Sequence, residues 1–242
     1  AKGRTIINNA AREPEVIDTG QALMAMGAQI TGLGSDVLCI EGVDELKPAE
    51  YQVMPDRIEA GTLIVASALA GGRVSIIDSP HEALDTVYDK IREAGIELRI
   101  NGPRLEVVAG GGIKSTDITT SPYPGFPTDR QAQFMALMNV GDSASIINET
   151  IFENRFMHVS ELNRLGANIT LEGHVAIVKG VHRLSGAPMM ATDLRASASL
   201  ILAALAAKGQ SEVARVYHLD RGYDKLDEKL ISLGAKIRRV KE

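Results

Sequence analysis

The sequence has 242 residues, of which 45% are hydrophobic and 24% charged, and its formal net charge is −5 at pH 7. This composition predicts a soluble globular protein and excludes a disordered or collagen-like chain. The longest apolar run, "SASLILAALAA", is too short to cross a bilayer, and the N-terminus lacks the apolar core of a signal peptide. We therefore expect a cytoplasmic protein with no membrane partner, and the negative charge argues against a nucleic-acid partner.

Four segments of the chain resemble one another, and each is typical of a helix end, a glycine, a strand, a tight turn and a second strand. Their marker glycines are Gly27, Gly95, Gly166 and Gly234, which are 68, 71 and 68 residues apart. Between them lie helices rich in small residues, which we expect to be buried against neighbouring elements. The pattern predicts βαβαββ units: three of them make a complete domain at 53–242, and residues 1–52 supply part of another lobe.

An aspartate occupies the same position near the start of the small-residue helix in each of three units. These residues are Asp56, Asp129 and Asp193. An acid at this position can cap a helix by accepting hydrogen bonds from free backbone N–H groups, and it can also serve a substrate. The sequence leaves both interpretations open. Asp129 differs because Pro122, Pro124 and Pro127 stiffen the loop before it, as is useful where a carboxylate is held for a substrate.

Arginines recur at predicted loops and element ends, namely Arg12, Arg155, Arg195 and Arg221. A planar guanidinium matches phosphate or carboxylate bidentately, so several converging arginines would suit a doubly anionic substrate. Surface ion pairing is the alternative for each. The stretch "DRGYD" predicts a tight turn that presents Arg221, and Glu13 before Pro14 is typical of a helix-start acid. His158 alone among the histidines lies near this group, and no spacing predicts a metal site.

Five motifs together resemble the bacterial UDP-N-acetylglucosamine enolpyruvyltransferase family. In chain order they are "AAREPEVIDT", "FPTDRQAQF", "ENRFMHVSEL", "ATDLRASASL" and "HLDRGYDKL". The resemblance covers essentially the whole chain. It implies an inside-out α/β barrel built from βαβαββ repeats, with an active site in a cleft between two domains. It also implies transfer of enolpyruvyl from phosphoenolpyruvate to the 3-hydroxyl of UDP-N-acetylglucosamine, the first committed step of peptidoglycan synthesis, without a cofactor or metal.

The same resemblance implies roles for individual residues. Asp129 would bind the sugar hydroxyl and act as the base, Ile151 would touch the nucleotide-sugar through its backbone, and Arg221 would hold the phosphoenolpyruvate anion. The residues expected to line the cleft and assist closure or charge balance are Asp193, Arg195, Arg155 and Glu13.

The family also carries features that lie upstream of anything in this sequence. They are a Lys-Asn pair, further arginines and a mobile loop whose Cys or Asp supplies the acid. We therefore expect this chain to be the C-terminal part, to need the missing N-terminal portion as a partner, and to turn over little alone. Two alternatives stay open: a non-catalytic anion- or nucleotide-sugar-binding repeat module, and a 5-enolpyruvylshikimate-3-phosphate synthase-like transferase.

Overall fold

The computed structural model describes residues 2–240, which form short helices and strands in alternation. The helices are α1 (Pro14–Ala25), α2 (Arg57–Ala70), α3 (Asp85–Glu93), α4 (Gln131–Met138), α5 (Val159–Arg164), α6 (Leu194–Ala206) and α7 (Leu226–Ser232). Short 3-10 helices lie at His81–Ala83, Thr128–Arg130 and Val216–Arg221. The strands are β1 (Arg4–Asn8), β2 (Gln29–Thr31), β3 (Val37–Glu41), β4 (Gly72–Ile76), β5 (Glu97–Asn101), β6 (Arg104–Ala109), β7 (Ile118–Thr119), β8 (Ala144–Asn148), β9 (Asn168–Glu172), β10 (Val175–Lys179), β11 (Pro188–Met190) and β12 (Glu212–Ala214).

The strands form four small sheets, with the orders β1-β3-β2, β4-β6-β5, β7-β8-β10-β9 and β11-β12. The predicted unit of helix, glycine and hairpin is confirmed three times. Helices α1, α3 and α5 are followed by Gly27, Gly95 and Gly166, whose φ angles of 103°, 88° and 87° lie in the left-handed region that glycine adopts without strain. An antiparallel pair then follows each of them, β2 with β3, β5 with β6, and β9 with β10.

The fourth segment departs from the prediction. Gly234 follows α7 and has a φ of 100°, as the other three marker glycines lead one to expect. Residues 235–240, however, form no strand. A strand satisfies its backbone groups by pairing with a neighbouring strand, and residues 235–240 pair with none in the part of the chain that the structure describes. The sheet of this unit consequently has only the parallel pair β11 and β12. The division into 1–52 and 53–242 stays a prediction.

Helices α2, α4 and α6 pack against one another at the centre of the three units. All eight side chains of α4 are buried. The sheets surround these helices and turn one face inward, as the alternation of buried and less buried residues along β6 shows. A buried hydrogen-bond network ties the units together, because Tyr223 Oη lies 2.9 Å from Thr62 Oγ1 on α2 and accepts from Gln133 Nε2 on α4 at 3.2 Å. The predicted arrangement of small-residue helices inside and sheets outside is confirmed.

The N-terminal residues contact the rest of the chain through charged and hydroxyl groups. Arg57, which is 6% exposed at the start of α2, donates to both carboxylate oxygens of Glu15 at 2.7 and 3.1 Å. Tyr51 Oη donates to Asp18 Oδ1 at 2.9 Å, and the same oxygen accepts from the Met54 backbone at 3.2 Å. Both carboxylates lie on α1, so this helix is tied to the start of α2 and to the segment that leads into it.

Candidate active site

Two of the three repeated aspartates are helix caps. Asp56 Oδ1 accepts from the backbone N–H groups of Ile58 at 2.6 Å and Glu59 at 3.0 Å. Asp193 Oδ1 accepts in the same way from the backbone of Arg195 at 2.8 Å and of Ala196 at 2.9 Å. The capping interpretation therefore applies to these two residues. The role of Asp193 in catalysis stays a prediction.

Asp129 makes no cap hydrogen bond to α4. Pro127 leads into the 3-10 turn Thr128–Arg130, so that the residue directly before α4 is Arg130 and the carboxylate stands one residue further back. The Asp129 side chain is 37% exposed. The capping alternative is wrong for this copy, because the extra turn removes the carboxylate from the end of the helix.

The Asp129 carboxylate lies between two arginines instead. Arg155 Nη2 donates to Oδ1, and Arg195 Nη2 donates to Oδ2 at 2.9 Å. Burial raises the pKa of Asp129, but the hydrogen bonds and charges of Arg195 and Arg155 outweigh it and hold the pKa below the ordinary value. Asp129 is therefore ionised at neutral pH. The structure thus brings together three of the residues that the sequence selected.

The segment that carries Arg155 also presents apolar side chains to solvent. Ile151 is 39% exposed and Phe152 is 51% exposed. The Arg155 guanidinium lies 5.0 Å from the centroid of the Phe152 ring, a favourable cation-π distance. An aromatic face and two guanidinium groups beside a carboxylate form a surface suited to an anionic ligand with a flat or apolar part.

Arg221 lies elsewhere on the surface. It ends the 3-10 helix Val216–Arg221 rather than standing in the predicted tight turn. Its exposed side chain lines a cavity of about 850 Å³ together with Asp224, Lys225 and Arg239. Asp220 and Asp227 each bind the Arg239 guanidinium, at 2.8 and 3.1 Å, while Arg221 has no ion-pair partner in residues 2–240. Asp129 does not line this cavity. The described chain therefore does not bring Asp129 and Arg221, which the sequence assigned to one site, into the same cavity.

Glu13 occupies the N-cap position of α1, as expected of a helix-start acid, but its side chain makes no cap hydrogen bond. Its Oε2 is buried and finds no hydrogen-bond partner among the described residues. Arg12 beside it is exposed. Neither residue contacts the Asp129 group through a hydrogen bond or ion pair in the described chain, and their part in a site stays a prediction.

His158 is buried behind this site, with 1% of its surface exposed. Burial lowers the pKa of His158 to about 4, against the attraction of Asp193, which raises it, and Arg155 lowers it further. The unfolded chain binds a proton near pH 6.5 and the folded chain only near pH 4, so we expect the free energy of unfolding to fall as pH falls through this window. The loss should total about 3 kcal/mol.

Urea unfolding of this chain at a series of pH values measures that effect. The His158→Gln variant should lack the loss between pH 6.5 and 4, whereas His182→Gln, which alters an exposed histidine, should keep it. The lowered pKa of Asp129 contributes stability that is fully present above the ordinary aspartate pKa of 3.8. This contribution is lost only as the pH falls below 3.8, and so it does not overlap the range of His158. An unchanged pH profile in His158→Gln would contradict a neutral buried imidazole.

The described residues hold no group of three or more His, Cys, Asp or Glu side chains placed to bind a metal ion. No helix in residues 2–240 is long and apolar enough to span a membrane.

Comparison with known proteins places these observations in one family. The sequence model of "EPSP synthase (3-phosphoshikimate 1-carboxyvinyltransferase)" matches residues 1–230. The UDP-N-acetylglucosamine 1-carboxyvinyltransferase of Geobacter metallireducens is 58% identical over 249 residues, an alignment that covers 100% of this chain and 58% of the relative. That of Myxococcus xanthus is 57% identical over 241 residues, covering 100% of this chain and 57% of the relative. The chain thus spans less than two thirds of the length of these curated relatives.

Solved structures agree with this result. The enolpyruvyl transferase NikO from Streptomyces tendae superposes with a TM-score of 0.89 at 29% identity, covering 98% of this chain and 57% of that one. An EPSP synthase from Acinetobacter baumannii gives a TM-score of 0.74 at 17% identity, covering 100% of this chain and 59% of that one, and shows the fold alone. The expected α/β fold of the enolpyruvyltransferases is confirmed.

Proposed function

The chain belongs to the EPSP synthase (3-phosphoshikimate 1-carboxyvinyltransferase) family, and from this premise we propose that it forms the C-terminal part of an enolpyruvyltransferase acting on UDP-N-acetylglucosamine. The complete enzyme transfers enolpyruvyl from phosphoenolpyruvate to the sugar 3-hydroxyl and releases phosphate. The curated relatives carry the nucleotide-sugar in their names, which favours this acceptor over shikimate 3-phosphate. The enzyme takes part in peptidoglycan synthesis in the cytoplasm and needs no cofactor.

The observation that carries the proposal is the state of Asp129. Its two sister residues are caps, while Asp129 is partly exposed and, among the described residues, is bound by side-chain ion pairs. In the transfer, the sugar oxygen forms a bond to C2 of phosphoenolpyruvate as its proton leaves, and a proton adds to C3. C3 then loses a proton, and the bond between C2 and the phosphate oxygen breaks. This step restores the double bond and releases phosphate. Asp129 is the acceptor for the hydroxyl proton.

The two arginines make Asp129 a weak base in the state described here, because they stabilise its charged form. An anionic substrate competes for the same guanidinium groups. When the diphosphate or carboxylate of a substrate binds Arg155 or Arg195 in place of Asp129, the pKa of Asp129 rises. Asp129 then becomes a stronger base for the proton of the sugar hydroxyl. Substrate binding therefore activates the base, and the arginines then hold substrate charge.

Arg221 supports the second substrate. An exposed guanidinium without an ion-pair partner in residues 2–240, lining a large cavity, is available to bind the phosphate and carboxylate of phosphoenolpyruvate bidentately. The N-terminal portion of the enzyme completes the cleft and supplies the acid that adds a proton to C3. Asp193 and Glu13 line the cleft, and Ile151 contacts the nucleotide-sugar through its backbone.

The proposal is tested by joining this chain to the N-terminal portion that its curated relatives carry and measuring phosphate release from phosphoenolpyruvate. We expect turnover with UDP-N-acetylglucosamine, little with this chain alone, and none with shikimate 3-phosphate. Turnover with shikimate 3-phosphate only would assign the other acceptor. Calorimetric binding of the nucleotide-sugar without any turnover in the joined protein would instead indicate a binding module.

A further inference from the structure

Glu149 is an acidic residue that the structure buries almost completely, with 1% of its surface exposed. It follows β8 directly and lies between two segments of the candidate site. One segment, residues 120–129, leads to Asp129. The other, residues 150–155, leads to Arg155. The sequence pattern gave no reason to select Glu149, because its hydrogen-bond donors lie in separate segments that only the fold brings together.

The carboxylate of Glu149 accepts four hydrogen bonds, two from each segment. Oε1 accepts from Thr120 Oγ1 at 2.8 Å and from the backbone N–H groups of Ile151 at 2.9 Å and Phe152 at 3.2 Å. Oε2 accepts from Thr128 Oγ1 at 2.9 Å. A buried carboxylate is costly unless its lone pairs are satisfied, and here four neutral donors satisfy them. One side chain thus fixes both segments.

The bound groups are next to the residues that face the substrate. Thr128 directly precedes Asp129, and Phe152 supplies the ring that lies against the Arg155 guanidinium. Thr150 adds a second link between the segments, since its backbone N–H donates to Thr120 Oγ1 at 2.9 Å. The separation between Thr128 and the backbone at 151–152 is therefore set by hydrogen bonds to one buried carboxylate, in addition to the Arg155–Asp129 ion pair that also joins the two segments.

We propose that Glu149 is a positioning residue for the nucleotide-sugar, because its carboxylate joins Thr128 beside Asp129 to the backbone amides of Ile151 and Phe152. This inference rests on the proposed function. Glu149 does not touch the substrate. It holds the base and the segment that contacts the nucleotide-sugar at a fixed distance, which lowers the cost of ordering the site when the ligand binds.

The variants at this bridge differ in which of the Glu149 hydrogen bonds they keep. Backbone N–H groups only donate, so a glutamine at position 149 must place its oxygen where Oε1 lies. Its NH₂ then faces the Thr128 hydroxyl, which can rotate and accept. Glu149→Gln should therefore preserve the bridge, and Glu149→Ala should remove it. Thr128→Val should remove only the bond beside Asp129, since the bonds from Thr120 and from the two amides remain.

The joined protein described above, with its N-terminal portion, is assayed for the KM of each substrate. In Glu149→Ala we expect the KM for UDP-N-acetylglucosamine to rise roughly ten- to a hundredfold. In Thr128→Val we expect a rise of roughly three- to tenfold, and in Glu149→Gln a change of less than about threefold. The KM for phosphoenolpyruvate should change by less than about threefold in all three, because Arg221 makes no contact with this bridge.

Asp117→Asn is the matched control. Asp117 Oδ1 also accepts a backbone hydrogen bond in the same sheet, from Ile146 at 2.6 Å, but at the other end of β7. This variant should leave both KM values unchanged. If Glu149→Ala fails to fold, Thr128→Val and the rescue by Glu149→Gln still decide the matter. An unchanged nucleotide-sugar KM in an active Glu149→Ala or Thr128→Val protein refutes the positioning role alone, whereas no turnover in the unaltered joined protein overturns both proposals.

Discussion

Replacement of Asp129 by asparagine should lower the kcat of the joined protein by roughly two to four orders of magnitude. Asparagine has the shape of aspartate but cannot take up the proton of the sugar hydroxyl. The KM for UDP-N-acetylglucosamine should change far less, since the amide oxygen still accepts a hydrogen bond from Arg195 or Arg155. Steady-state kinetics of phosphate release measure both constants.

Asp142→Asn provides the control for this variant. Asp142 belongs to the same unit and accepts a hydrogen bond from the Ser115 backbone at 2.8 Å, which lowers the pKa of its carboxyl. It lies beyond the C-terminal end of α4, whereas Asp129 lies before its N-terminal end. The helix between them is about 12 Å long. We expect an unchanged kcat in this variant. Retention of full turnover in Asp129→Asn would remove Asp129 from the chemistry and leave it as an ion-pair partner of the two arginines.

The contrast between Asp129 and its sister residues has a local cause. In the first and third units the aspartate stands directly before the helix, so its carboxylate reaches the free N–H groups. In the middle unit the 3-10 turn Thr128–Arg130 separates the aspartate from α4 by one residue. The repeat thus supplies an acid at every helix start, and one additional turn converts a structural acid into one that is available to a ligand.

The periodic features of this fold could be predicted from the sequence, because they depend on neighbours in the chain. The glycine after each helix, the hairpin that follows and the buried small-residue helices all belong to this class. The strand expected after Gly234 did not form, since strand formation depends on a partner edge that no local pattern reveals. The predicted division into residues 1–52 and 53–242 likewise depends on contacts between residues far apart in the sequence.

The candidate site was only partly accessible to sequence reasoning. The sequence selected Asp129, Arg155 and Arg195, but their contact joins positions 26 and 66 residues apart, and residue types alone do not show which arginine meets which acid. Glu149 was missed because a single sequence does not show which donors surround an acid in the fold. Its role follows only from the four donors around it.

A second residue that the sequence did not reveal is Arg130, which has 2% of its surface exposed. Its Nε, Nη1 and Nη2 atoms are buried and find no hydrogen-bond partner among the described residues. Burial lowers the pKa of Arg130 to about 10, and the charge of Arg57 opposes Asp56 and Tyr223, which raise it. A Cβ added at Gly61 would lie 0.9 Å from Nη1. The guanidinium thus occupies the side-chain space of a glycine on α2.

Arg130→Met should raise the free energy of unfolding by roughly 1 to 4 kcal/mol, because a flexible apolar side chain replaces a buried cation that has no hydrogen-bond partner in residues 2–240. Gly61→Ala should lower it by roughly 1 to 3 kcal/mol in the unaltered chain, since the new methyl group overlaps the guanidinium. In an Arg130→Ala background the same Gly61→Ala change should be neutral or stabilising by up to about 1 kcal/mol, as is usual for glycine to alanine within a helix. Urea unfolding of the four proteins in this cycle, with Arg130→Met beside them, measures the coupling. A Gly61→Ala cost that is equal in both backgrounds, or a loss of stability in Arg130→Met, would show that the guanidinium has another location or a partner that stabilises it.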